Sequence, residues 1–157
     1  MKKTKTKKNV GRFAGIPLRV LTTKAYTELS SLSRALLLEL AAQYDGKNNG
    51  YLSLTRNDLK QRGFNSPSSN QKAIDALINA GFITKTIQGG ISSGRTHCNL
   101  YGVSWQPSDE RMDRPFQYSL EKGMRKFQEC VLDGGKVAVL TPRKQNQRTD
   151  LRLVSAN

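Results

Sequence analysis

The chain has 157 residues, with 26 Lys and Arg against 12 Asp and Glu, a formal net charge of +14 and a pI near 10.1. That length suits one domain with appendages and a core that needs no disulfide staples, and the charge calls for a polyanionic partner, nucleic acid before an anionic membrane. No apolar run is long enough to span a membrane, no secretory pattern follows the basic start, and Cys98, Cys130 and His97 are too few for a zinc site.

Residues 1–12 carry Lys2, Lys3, Lys5, Lys7, Lys8 and Arg12 with no acidic residue. Without an apolar anchor they are expected to be disordered when free. They read as an arm tracking phosphates, or as a tail that serves only solubility. FAGIPLRVL opens the ordered part, extended at Pro17, and Thr23 to Leu29 suits a short helix. Ser30 to Tyr44 is the clearest helix. Leu36, Leu37, Leu40, Ala41 and Tyr44 recur at helical spacing, Leu32 lies one turn earlier, and Ser30 or Ser31 caps the start. The run DGKNNG then breaks the helix with turn-forming residues.

Tyr51 to Leu54 reads as a short strand, and Thr55 with Asp58 resembles a capping box for a helix over Arg56 to Arg62 that Gly63 closes. Ser66-Pro67 opens a second helix, with Ala73, Ile74, Leu77 and Ile78 as its buried stripe and Gly81 at its end. Projected at about 100° per residue, Ser68, Lys72, Asp75 and Asn79 lie opposite that stripe, with Ser69 and Gln71 on the flanks. The N-terminal half of this helix is serine, asparagine, glutamine and lysine, side chains that bond bases or phosphates; the same face is also what an ordinary solvated helix presents. Asp75 is discordant unless it accepts from a cytosine amino group or orients Lys72.

Phe82-Ile83 turns into a strand. The following QGGISSGRTH is rich in glycine and longer than a two-residue hairpin, and it carries Arg95 and His97. The next strand alternates Tyr101, Val103 and Trp105 as a half-buried strand does. Gln106 to Arg114 is polar and marks the end of the compact unit. Phe116, Leu120, Met124, Phe127 and Val131 then predict an amphipathic helix over about 115–132, weakened by Gly123. It either packs on the domain or pairs two subunits as a homodimer. Gly134-Gly135 ends it, and a polar tail follows.

Strand, helix, turn, helix, strand, loop and strand in that order is the plan of a winged helix-turn-helix. The expected fold is therefore α+β: a basic arm over 1–12, the winged unit over 13–107 and an extension over 108–157. At LSSLSRALLLELAAQYDGKNNGYLSLTRNDL, KAIDALINAGFITKTIQGG and LYGVSW the chain resembles small helix-turn-helix proteins of bacterial mobile elements, plasmids and prophages, and the winged domains of plasmid replication initiators. The resemblance implies that Ser69 and Lys72 stand where such proteins contact DNA.

The leading expectation is sequence-specific binding of double-stranded DNA by a transcriptional regulator or replication accessory protein, cytoplasmic and nucleoid- or plasmid-associated. Ser66, Ser68, Ser69, Gln71 and Lys72 would enter the major groove, Arg95 the flanking minor groove, and Lys3, Lys5, Lys7 and Lys8 would add phosphate contacts. The alternative is a non-catalytic mobile-element inhibitor that binds a host nucleic-acid-processing protein through its basic surface. Catalysis is not expected, because Asp45, Asp58, Asp75 and Asp109 are scattered and no phosphate loop is present; nor is any metal or cofactor. The aromatic sheet motif of RNA-recognition domains is also missing.

Overall fold

Pro17 holds the entering chain extended, and a single helical turn, α1 (Leu18–Leu21), follows it directly. The computed structural model describes residues 11–92 and 94–132, with side chains through Glu129. The next four helices each start at a serine or threonine whose hydroxyl accepts from the backbone N–H three residues on, satisfying a donor that a helix start leaves unpaired. Thr23 caps α2 (Lys24–Glu28), Ser30 caps α3 (Ser31–Gln43), Thr55 caps α4 (Arg56–Gln61) and Ser66 caps α5 (Pro67–Asn79).

The apolar stripe of α3 buries Leu36, Leu37 and Leu40 completely, and it packs against Ala73, Ile74 and Leu77 of α5. Each such leucine contributes about 1.5–3 kcal/mol through burial. Gly63, at φ +90°, ends α4 in the left-handed conformation that suits glycine, and Phe64 turns back against the core.

Three strands form an antiparallel sheet in the order β1 (Leu52–Ser53), β5 (Leu100–Val103), β2 (Ile83–Ile87), with β5 in the centre. Between β2 and β5 the chain makes a separate ribbon of β3 (Gly90–Ser92) and β4 (Arg95–His97). The sequence suggested a connection too long for a tight hairpin. Instead Ser92 pairs directly with Arg95, and Gly94 at φ +72° supplies the turn. The described chain is thus α+β.

The expected half-buried strand is buried on both faces. Tyr101 and Val103 face the helices, while Leu100, Gly102 and Ser104 are buried as well. The cover comes from residues 108–132. Leu120 lies against Gly102, and α6 (Glu121–Leu132) crosses β2 with Phe127 against Phe82, ring centroids 6.1 Å apart. The core therefore runs past residue 107 to Phe127. The helix begins at Glu121 rather than Pro115, because Phe116 and Gln117 are held elsewhere: Phe116 packs on Tyr51, and Gln117 N–H donates to Thr86 O. Gly123, read as a weak point, is where α6 meets the sheet, since a Cβ there would collide with Thr84 Oγ1. Of the two alternatives for this helix, packing on the domain or pairing two subunits, the burial of Leu120 and Phe127 within the chain supports the first.

Asn49, in the turn that follows α3, is fully buried. Its Nδ2 donates to the carbonyls of Val103, Gln106 and Pro107 at 2.9–3.0 Å, its Oδ1 accepts from Val103 N–H, and its own N–H donates to Asp109 Oδ2. Tyr51 adds a second tie: Arg111 N–H donates to its Oη, which donates in turn to Arg114 O. Among the described residues no helix is long and apolar enough to cross a membrane.

Candidate nucleic-acid interface

Helix α5 sets the geometry of the candidate site. Its buried stripe fixes the helix rotation, so Ser66, Ser68, Ser69, Gln71 and Lys72 are all exposed on the outer side of its N-terminal half. Pro67 at the first helical position costs nothing, because the N–H it lacks has no intrahelical partner there. Ser66 Oγ donates to Ser69 Oγ at 2.9 Å and lies 3.5 Å from Ser68 Oγ, so three hydroxyls gather at the helix start. In that arrangement the Ser69 proton remains free to donate outward.

Asn70 does not join this face. It is 6% exposed, and its Nδ2 donates to Phe64 O at 3.0 Å, bracing the turn between α4 and α5. Its position one turn before Ile74 was the signal in the sequence. The discordant Asp75 orients Gln71 rather than Lys72: Gln71 Nε2 donates to Asp75 Oδ1 at 2.9 Å. That bond occupies one carboxylate oxygen and orients the Gln71 amide. Lys72 has no ion-pair partner among the described residues.

Helix α4 adds exposed Arg56 and Lys60, which the sequence reading assigned to a structural helix only. Arg62 is less available, because its guanidinium meets Glu39 Oε2 at 2.6 Å. Arg95 and His97 are exposed on the ribbon, on an element separate from α5. Tyr101 lies within electrostatic reach of α5 and of the two residues that follow the ribbon. Burial pushes its phenol up from the ordinary value, the Asp75 carboxylate and Cys98 push the same way, and a hydrogen bond with Asn99 pulls it down. Cys98 is an exposed free thiol. Lys3, Lys5, Lys7 and Lys8 lie outside the described residues, as does the tail after Leu132.

Compared with known proteins, the chain matches no family model, no curated protein and no solved structure at a significant level.

Proposed function

We propose that the chain is a winged helix-turn-helix protein that binds double-stranded DNA sequence-specifically, acting as a transcriptional regulator or replication accessory protein of a bacterial mobile element in the cytoplasm. The observation that carries the reading is the exposed set Ser66, Ser68, Ser69, Gln71 and Lys72 on the N-terminal half of a helix whose rotation is fixed by a buried stripe. The order α3, β1, α4, α5, β2, ribbon, β5 supports it, with β5 between β1 and β2.

In this reading α5 lies in the major groove and its N-terminal half meets base edges. Gln71 presents an amide suited to adenine, Lys72 an ammonium suited to guanine or phosphate, and the serines short donors. Arg56 and Lys60 of α4 hold the flanking phosphates, and Arg95 on the ribbon meets the adjoining minor groove or backbone. Selection of duplexes from a random-sequence pool by the full chain tests the reading. Recovery of a common site, bound with steep salt dependence, supports it; recovery of unrelated sequences refutes sequence-specific binding.

One observation favours the second reading, a protein that occupies a host factor. Phe13, Leu18 and Leu38 are large exposed apolar side chains, and Leu38 borders a cavity of about 450 Å³ shared with Ile16, Tyr26 and Arg34. Apolar surface around such a cavity suits a protein contact, beside the basic surface of that reading. Capture of a defined host protein without any DNA site would favour it.

A further inference from the structure

An open cleft of about 760 Å³ lies between the β3–β4 ribbon and residues 114–118. Its two walls are built differently. Residues 114–118 are pinned to the sheet: the N–H groups of Gln117 and Tyr118 both donate to Thr86 O, Gln88 N–H donates to Gln117 Oε1, and Arg114 O accepts from Tyr51 Oη. The ribbon wall joins the sheet at Gly89, whose N–H donates to Asn99 Oδ1 and where a Cβ would collide with the His97 carbonyl. The cleft is therefore a feature of the fold rather than a gap between side chains.

The lining has the chemistry of a nucleotide strand. Arg114 on one wall and His97 on the other both line the cleft, and no carboxylate lines it. Glu110, close by in sequence, accepts instead from Phe116 N–H. Beside these two side-chain donors stand two exposed apolar surfaces, Ile91 at 82% and Tyr118 at 51% exposure. A guanidinium and an imidazole N–H donor next to apolar faces match a phosphate joined to a deoxyribose, and the volume lies within the usual range of small-ligand clefts.

We propose that this cleft holds one sugar-phosphate unit of the bound DNA, its phosphate between Arg114 and His97 and its deoxyribose against Tyr118 and Ile91. This rests on the DNA-binding reading and extends the contact surface to the C-terminal segment. Arg114 and Tyr118 are exposed and their ties to the sheet run through the backbone, so truncating the side chains leaves the fold in place.

The test compares the full chain with Arg114→Ala, Arg114→Lys and Tyr118→Ala, using a duplex recovered from the random pool and a scrambled duplex across a salt series. Arg114→Ala weakens both duplexes alike and makes the log–log salt slope shallower by about 0.9. Arg114→Lys restores the slope, and Tyr118→Ala weakens binding several-fold at an unchanged melting temperature. If the parent chain binds the recovered duplex while all three variants bind it as the parent does, the cleft proposal is overturned and the DNA-binding reading stands. If the parent binds neither duplex, the DNA-binding reading fails and the cleft fails with it. Saturable binding of free deoxyadenosine monophosphate, with duplex affinity untouched by the variants, also overturns the strand assignment.

Discussion

The side-chain amide of Asn49 exchanges two hydrogen bonds with the backbone of Val103, donating to its carbonyl at 3.0 Å and accepting from its N–H at 2.7 Å. A side chain thereby takes the place of a strand partner. Strand β1 pairs with β5 only at Tyr101 and Leu100, so Val103 lies past its reach on that edge. The same amide also gathers the carbonyls of Gln106 and Pro107, which sets where the chain turns toward residues 108–132.

Asn49→Ala should therefore destabilise the protein by roughly 3 kcal/mol, since it strands the buried N–H and carbonyl of Val103 at about 1–3 kcal/mol each. Asn49→Asp should be no better, because a carboxylate faces three carbonyls it cannot bond. Urea melts of both variants check this, and a midpoint equal to the parent's would show that water replaces the amide.

Gly123→Ala sets two effects against each other. Alanine favours a helix by about 1 kcal/mol over glycine, while its Cβ collides with Thr84 Oγ1, and overpacking of this kind costs about 1–3 kcal/mol. The single variant should melt below the parent. In a Thr84→Ala background the same change should be neutral or stabilising, and the double-mutant cycle measures that reversal.

Leu77→Ala should cost roughly 2–5 kcal/mol, because Leu77 is completely buried between α3 and α5. A variant that melts like the parent would mean the rotation of α5, and with it the exposed face, is misplaced.

Much of this architecture is legible in the residues, and the failures have physical causes. The Ser30, Thr55 and Ser66 caps and the α3 and α5 stripes follow from local chemistry and periodicity, and the structure has them as expected. What local pattern misses is determined at long range. The second face of β5 is buried because residues 108–132 fold back over it, and Gly123 acts as a contact because of a threonine on another element. Asn49 and Asn70 look like turn and surface residues, yet both are buried amides bonded to backbone carbonyls. At the candidate site the exposed residues of α5 were legible from helical phase; the Gln71–Asp75 bond and the cleft beside Arg114 were not, since they depend on rotamers and on distant segments.

Deleting residues 2–8 removes Lys2, Lys3, Lys5, Lys7 and Lys8. Affinity should fall about equally for all duplexes, and the salt slope should become shallower by about two to four units if two to four phosphate contacts are lost. Preference for the specific site should survive, because phosphate contacts carry no base information. A collapse of preference at unchanged slope would mean the arm reads bases, and no change in either would make it a solubilising tail.

The central claim, that the outer face of α5 and the ribbon read DNA, is tested most directly by equilibrium binding of Lys72→Ala and Arg95→Ala to the recovered duplex, with thermal melts alongside. Both side chains are exposed and neither supports the core. Each variant should melt like the parent and lose on the order of 1–3 kcal/mol of binding where it bonds a base, less where it touches only phosphate. Parental affinity in both variants, at parental melting temperature, would contradict the account and place the DNA-binding face elsewhere.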